Sequence, residues 1–302
     1  MRDVIEKLKG ALSPEQIFEQ EPMSQHTTFK VGGCADVLVE PCSVEQVQSV
    51  VNICREAAVK LYVIGEGSNL LVSDSGLRGV VMHLGSAFSD IAIDGCALTC
   101  QAGATNEQVA AEALAAGLAG YEFASGIPGS IGGAAYMNAG AYDGEFKDVA
   151  RSVVCIAKDG SLCTLDAADA GFSYRYSRMM DEGLIVVEVS IELREDDAAA
   201  IKARMDDLRQ RRENKQPLEK ASAGSTFKRP EGYFAGKLIQ DAGMQGHSVG
   251  DAQVSPKHAG FVVNNGSATA EDVLGVISDV QEAVFKMEGV LLEPEVRMWG
   301  FE

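Results

Sequence analysis

Chemistry that depends on rare residue types has little to work with in this chain. Only four histidines occur (His26, His83, His247, His258), none in HExxH or Cys-His spacing, so no metal motif is present. The seven cysteines (34, 42, 54, 96, 100, 155, 163) are an odd set without a CxxC pair. Most lie in apolar runs such as VVNIC and VVCIA, where a free thiol behaves as a small hydrophobe, which fits a reducing compartment better than a disulfide framework. No apolar run approaches the roughly 20 residues that cross a bilayer. The N-terminal MRDVIEKLKG carries mixed charges in place of an apolar signal core, so cytoplasmic residence is expected and membrane insertion is not. Basic charge is also scarce: 26 Lys and Arg stand against 44 Asp and Glu, a formal net charge of −18. That balance argues against nucleic acid or an anionic membrane surface as the main partner, while leaving anionic small ligands to local charge.

What is present suffices for a sizeable core. Hydrophobic residues make up 46% and charged residues 23% of 302, which favours two or three soluble domains over one. Neither repeats nor low-complexity tracts break the chain. Glycine is concentrated in Gly126 to Gly144, GIPGSIGGAAYMNAGAYDG. A segment so poor in branched side chains is either a long structural loop or a cradle whose backbone amides face an anion.

Periodicity and capping signals place the rest. Residues 1–20 read as two short helices, with Ser13, Pro14 and Gln16 marking the second start. A strand over 35–39, a helix capped by Ser43 and a buried strand over 61–64 form a β-α-β unit. The unit runs into Gly65-Glu66-Gly67-Ser68-Asn69. The dinucleotide fingerprint requires a third glycine and a following helix; Leu70 takes the glycine's place, and LLVSDSGLRGVVMHL reads as strand, turn, strand, so a Rossmann fold is rejected. A hairpin over 91–102, a helix capped by Thr105, a hairpin over 152–165 turning at Asp159-Gly160, a strand over 184–193 and a helix over 197–214 follow. Beyond Pro217, residues 221–230 read as a small-residue loop. A short helix near 237–242, strands over 248–254 and 260–263, a helix from Thr269 to about Glu288 and a strand over 290–299 interrupted by Pro294 complete the chain. The organisation changes near 195–215.

Gly232 to Leu238 (GYFAGKL) is one residue short of a phosphate loop and has Leu238 where Ser or Thr would meet magnesium, so it is rejected. Arg175 lies among tyrosines, suited either to gripping a carboxylate or to pairing with a structural acid. Ser225 sits in a loop beside Gly224, where most serines are turn residues. Glu295 interrupts an apolar terminal strand, with Glu293 as its competitor. The run over 202–220 is locally basic, equally consistent with a solvated helix face and with a phosphate-facing one.

Six segments in order, IGEGSNLLVSDSG (64–76), GIPGSIGGAAYMNAGAYDGE (126–145), YRYS (174–177), GSTFKRP (224–230), GKLIQDAG (236–243) and LEPEVRMWG (292–300), together resemble the UDP-N-acetylenolpyruvoylglucosamine reductases, flavoenzymes of peptidoglycan precursor synthesis. The resemblance covers about His26 to Gly300. It implies an α+β architecture: a two-subdomain FAD-binding region of the vanillyl-alcohol-oxidase (PCMH) type over 1–212, with its core at about 26–194, and an α+β substrate domain over 213–302. It implies non-covalent FAD held by Ile64, Gly65, Gly67, Ser68, Asn69, Gly126, Ile127, Pro128, Gly129, Ser130, Gly132, Asn138, Gly140 and Ala141. NADPH is implied as co-substrate and UDP-N-acetylglucosamine enolpyruvate as substrate. Arg175, Ser225 and Glu295 match the catalytic trio, with Ser225 the proton donor to carbon 2. For the diphosphate we look to Lys215, Arg229 and Lys237, with Tyr142 and Tyr174. The short run from Ser225 to Lys237 resembles the subclass without an inserted tyrosine-bearing loop. The alternatives are another FAD-dependent sugar or alcohol oxidoreductase on the same fold, or a flavin-binding protein without turnover.

Overall fold

Capping chemistry sets where several helices begin. Thr105 Oγ1 accepts from the Gln108 amide at 3.1 Å, and the Gln108 side chain accepts from the Thr105 amide at 2.8 Å. Thr269 and Asp272 repeat this reciprocal box at 3.0 and 2.9 Å, starting the helix Ala270–Glu288. Ser43 caps Val44–Glu56. These starts coincide with those read from the sequence.

The computed structural model describes residues 1–301. They form two units: Met1–Glu19, Val37–Glu66 and Gly79–Arg211 make the first, and Gln20–Asp36, Gly67–Arg78 and Arg212–Glu302 the second. The sequence reading places everything before residue 213 in one region, whereas 20–36 and 67–78 cluster with the C-terminal residues. The reason is long-range pairing: Leu70–Val72 runs parallel to Arg297–Trp299, and the Asn264 amide donates to the Phe29 carbonyl at 3.0 Å.

The first unit contains a five-stranded antiparallel sheet in the order Leu162–Asp166, Ala150–Ile156, Ile185–Glu192, Ala97–Gln101, Ile91–Asp94. Its buried residues, such as Leu98, Val153, Val187 and Val189, join Val109 and Ile131 of two helices in one core. A four-stranded sheet has the order Ile17–Pro22, Cys34–Val39, Leu77–His83, Leu61–Ile64. The strands over 34–39 and 61–64 are therefore not neighbours; 77–83 lies between them and pairs in parallel with 61–64.

Three more expectations change. The second N-terminal helix shrinks to a 3-10 turn, Pro14–Gln16, because the chain then enters the sheet and Gln16 bonds the Glu40 backbone in both directions. Residues 221–225 are a strand. The terminal strand is confined to Arg297–Trp299, with only an isolated bridge between Phe227 and Pro294 before it.

The helix Ala198–Lys215 spends its basic residues on local acids: Lys202 on Asp206, Arg204 on Glu122 and Asp196, Arg211 on Asp207. Up to Arg211 its charge is that of a solvated, ion-paired face. The second unit packs Val273, Val276, Ile277, Val280 and Val284 of Ala270–Glu288 into a core with Val254, Val262 and Leu292. Its antiparallel sheet has the order Ala221–Ser225, Phe261–Asn264, Ala252–Val254, Ser248–Val249.

All seven thiols are free, and burial pushes Cys54 up to about 11 and Cys100 and Cys155 up to about 12, so these three stay protonated. Among the described residues no helix is long and apolar enough to cross a membrane, and no group of three or more His, Cys, Asp or Glu is placed to hold a metal.

Candidate active site

In the first unit the glycine-rich stretch is folded around a buried asparagine. Asn106 is 1% exposed. Its backbone N–H donates to the Gly129 carbonyl at 3.0 Å, and its Nδ2 donates to the Ile127 carbonyl at 3.2 Å. The Tyr121 hydroxyl donates to its Oδ1 at 2.7 Å. The loop's carbonyls are thereby taken up by the protein, while the N–H groups of Gly129 and Ser130 have no protein partner among the described residues. Ser130 is only 4% exposed, so its unpartnered amide is an unmet demand that an anionic ligand oxygen would satisfy. Gly129 itself has φ of +125°, open only to glycine.

Beyond the loop, Ser130 caps a helix not foreseen in this stretch, Ile131–Met137, through Oγ accepting from the Gly133 amide at 3.3 Å. Two motif glycines serve close packing. A Cβ at Gly65, just past the strand Leu61–Ile64, would lie 2.3 Å from Ser130 Oγ, and one at Gly132 would lie 2.7 Å from the Ala102 Cβ. The structure thus brings Gly65 against Ser130.

The helix ends at Asn138, in the left-handed region with φ of 42° and 1% exposed. Its Nδ2 donates to Glu145 Oε2 and to the Ser173 carbonyl, both at 2.9 Å, and its Oδ1 accepts from the Lys147 amide at 2.9 Å. Both amide protons are used, so the side chain has no donor left for a flavin. The side-chain donors of Asn138 are thus spent within the protein. Next comes a tight ribbon in which Gly140 pairs with Glu145 and Ala141 with Gly144. Tyr142 and Asp143 form its turn at φ of 51° and 66°, holding the Tyr142 side chain 36% exposed.

Arg175 occupies a second strained turn. Ser173 and Tyr176 exchange backbone hydrogen bonds at 3.1 and 3.2 Å around Tyr174 and Arg175, and Arg175 has φ of 55°. That position of the turn ordinarily takes glycine; a bulky side chain there costs about 1–3 kcal/mol. The guanidinium lies 5.3 Å from the Tyr174 ring and donates to the Gly140 carbonyl at 3.5 Å. Lys147, then Asn138 and the field of Arg175, hold the Glu145 carboxyl below the usual carboxylate range, so it stays ionised.

The second unit carries other residues singled out in the sequence. Ser225 ends its strand at a register shift: Ser222 faces Val263, but Ser225 faces Phe261, with Gly224 at φ of 73° between them. This bulge leaves Ser225 exposed, and its hydroxyl has no protein partner among the described residues. Immediately after it, Thr226 N–H donates to the Gly260 carbonyl, and the Thr226 carbonyl accepts from Glu295 N–H, both at 2.8 Å. Ser225 and Glu295 are therefore borne on adjacent extended segments. Asn69 joins them: its Nδ2 donates to the Glu295 carbonyl at 3.1 Å, and its own carbonyl accepts from the Arg297 amide at 3.0 Å. Gly67 is packed so closely that a Cβ would lie 2.0 Å from the His26 carbonyl. Ser68 lies partly buried between Gly67 and Asn69. Glu293, the expected competitor of Glu295, forms an ion pair with Lys228.

The basic candidates differ in availability. Arg229 stacks on the Phe234 ring at 4.0 Å and donates from Nε to the Tyr233 carbonyl at 3.2 Å. Lys237 pairs with Asp241 one helical turn on, and Lys215 is exposed. His258, which sequence spacing did not single out, accepts at Nδ1 from the Gly260 amide at 3.1 Å and packs edge-on against Phe261, the register partner of Ser225, at 4.9 Å. Burial, and secondarily the charge of Lys215, holds its pKa below the ordinary 6.5. Nothing local in SPKHAG announces this placement; it follows from the sheet.

Comparison with known proteins gives the family and the fold. The family model described as UDP-N-acetylenolpyruvoylglucosamine reductase, C-terminal domain, matches residues 216–299, and an FAD binding domain matches 35–166. A UDP-N-acetylenolpyruvoylglucosamine reductase of Clostridium perfringens (strain SM101 / Type A) is 50% identical over 295 residues, 97% of each chain. The crystal structure of UDP-N-acetylenolpyruvylglucosamine reductase from Thermus caldophilus superposes with a TM-score of 0.81 at 36% identity, covering 92% of this chain and 97% of that one. A glucose dehydrogenase, Phl p 4.0202, reaches a TM-score of 0.52 at 13% identity over 96% of this chain and 63% of its own, a likeness of fold alone.

Proposed function

Because this chain belongs to the UDP-N-acetylenolpyruvoylglucosamine reductase family, we propose that Arg175, Ser225 and Glu295 complete the reduction. The enzyme is an FAD-dependent oxidoreductase that uses NADPH to reduce UDP-N-acetylglucosamine enolpyruvate to UDP-N-acetylmuramate. FAD, when bound and reduced by NADPH, would supply the hydride that the enolpyruvyl methylene carbon takes up. We place the reaction in the cytoplasm, with no nucleic acid involved.

The loops ending at Asn69 and running over 126–141 hold the cofactor. Support comes from the Gly129 and Ser130 amides, which lack protein partners while the neighbouring carbonyls are occupied. An isolated enol ether is a poor hydride acceptor, so the adjacent carboxylate must take up the developing charge. Arg175 meets that charge with a planar, permanently cationic group. Ser225 donates the proton to carbon 2; a serine hydroxyl is a weak acid and serves only because the carbanion is strongly basic and the hydroxyl is held in place. Glu295, whose backbone is clamped by Thr226 and Asn69, orients the donor or polarises the intermediate. Arg229, Lys215 and Lys237, with Tyr142 and Tyr174, take the diphosphate, the two tyrosines presenting exposed rings. Residues 213–302 thus supply most of the substrate contacts and 1–212 most of the cofactor contacts.

The single observation that carries the reading is the Arg175 guanidinium, borne on a turn with φ of 55° and resting on the Gly140 carbonyl of the glycine-rich stretch. Ser225→Ala is expected to leave anaerobic flavin reduction by NADPH intact while lowering substrate-dependent reoxidation about 10²–10⁴-fold. Substrate turnover near wild type in that variant would remove Ser225 from the donor role. Wild-type enzyme whose reduced flavin is not reoxidised by the enolpyruvyl substrate would refute the activity itself.

A further inference from the structure

A charged side chain used to stabilise a developing anion must be held to within a fraction of an ångström, and the turn that carries Arg175 cannot do this alone. It spans four residues and closes with two backbone hydrogen bonds of 3.1 and 3.2 Å. Its φ of 55° at a non-glycine position favours relaxation to another turn type. An external restraint is required on each flank.

On the C-terminal flank, Ser177, fully buried, donates its hydroxyl to the Tyr136 carbonyl at 2.7 Å. On the N-terminal flank the Ser173 carbonyl accepts from Asn138 Nδ2 at 2.9 Å. The second Nδ2 proton goes to Glu145 Oε2, also at 2.9 Å, and Glu145 pairs with Gly140, whose carbonyl accepts from the Arg175 guanidinium. Asn138 therefore grips both the turn that bears Arg175 and the ribbon on which its guanidinium rests. Three features suit it to this. It is 1% exposed, so water does not compete. Its left-handed backbone, φ of 42°, is one that asparagine tolerates better than other side-chain-bearing residues. Its Oδ1 is pinned by the Lys147 amide, which fixes the amide plane and aims both donors.

We infer that Asn138 is a positioning residue for Arg175, acting through the Ser173 carbonyl and the Glu145 carboxylate rather than on the flavin. The inference rests on the reading that Arg175 stabilises the substrate's developing charge. Asn138→Gly is the informative change, because glycine keeps the left-handed backbone without cost while deleting all three side-chain bonds. A displacement of about 1 Å in a positioned group can cost about 10²-fold in rate.

The test is a cycle on the FAD-loaded protein. Flavin reduction by NADPH and reoxidation by UDP-N-acetylglucosamine enolpyruvate are each followed anaerobically in wild type, Asn138→Gly, Arg175→Ala and the double variant. Reduction by NADPH is expected to stay within about twofold in Asn138→Gly while reoxidation falls about 10–10²-fold. In the Arg175→Ala background the same substitution should change reoxidation less than about twofold, since no guanidinium remains to be placed. Loss of the same size in both backgrounds, or no loss in the first, overturns the inference; loss of wild-type reoxidation would instead indict the functional reading. Should Asn138→Gly fail to fold, Asn138→Asp serves in its place. It keeps shape and backbone preference but turns an acceptor toward Glu145 and Ser173, and the same dependence on Arg175 is expected.

Discussion

Gly65→Ala isolates one close contact just past the strand Leu61–Ile64 of the first unit. Gly65 does not have a positive φ, so alanine is not excluded by its backbone. What excludes it is Ser130: the new Cβ would lie 2.3 Å from Oγ and 3.2 Å from Cβ. The oxygen must rotate away, and in doing so it abandons the Gly133 amide that it caps at 3.3 Å. Losing an N-cap costs about 1 kcal/mol, with a range of about 0.5–2. The residual Cβ–Cβ squeeze adds up to about 1 kcal/mol, and the reduced freedom of the unfolded alanine chain offsets about 0.4–1. A net loss of up to about 1.6 kcal/mol is expected. Ser130→Ala alone should lose the cap and about 1 kcal/mol. In the double variant the cap can be lost only once and no oxygen obstructs the methyl group. The pair should therefore cost about 1 kcal/mol less than the sum of the singles. Thermal unfolding with FAD held at saturation reads this directly, at about 2–4 °C per kcal/mol for a domain of this size class. Costs that add to within about 0.3–0.5 kcal/mol would show that Gly65 is required for some reason other than Ser130.

Adjacent glycines in the helix Ile131–Met137 should behave oppositely. A Cβ at Gly132 meets the Ala102 Cβ at 2.7 Å and its carbonyl oxygen at 2.9 Å, whereas one at Gly133 has only Ser130 Oγ at 3.6 Å. Gly132→Ala should lose FAD and at least about 1–3 kcal/mol of stability, while Gly133→Ala should be neutral or stabilising by up to about 1 kcal/mol in denaturant titration; equal behaviour would refute the packing argument. His258 supplies a pH signature, because burial holds its folded pKa below 6.5. As pH falls through 6.5 the unfolded chain takes the proton first, so unfolding free energy declines until the folded ring also titrates. His258→Gln should show a shallower acid slope than wild type over that interval, and identical slopes would contradict the assignment.

Much of this was legible in the chain because it is local. Capping pairs three residues apart, such as Thr105 with Gln108 and Thr269 with Asp272, are visible wherever they occur, and both open the expected helices. The Rossmann rejection at Leu70 holds, since the residues after Asn69 form the strand Leu70–Val72 and not a helix. The helix Ile131–Met137 was not foreseen, because glycine-rich, alanine-rich sequence has weak helical periodicity and is stabilised here by the Ser130 cap and by packing on Ala102. The strand over 221–225 was missed for a similar reason: ASAGS has neither β-branched residues nor alternation, and only pairing with Phe261–Asn264 makes it extended.

By itself the sequence determined the local order of helices and strands, the absence of metal and membrane-spanning motifs, and six collinear motifs that resemble one flavoenzyme family. Tertiary structure alone decided how those motifs are used. The Asn69 side chain meets the Glu295 carbonyl across 226 residues of chain, and the Asn138 side chain holds the Ser173 carbonyl of the turn that bears Arg175. Side-chain identity does not reveal which partner takes a hydrogen bond. A buried amide has two donors and spends them on whichever carbonyls and carboxylates the fold brings within about 3 Å.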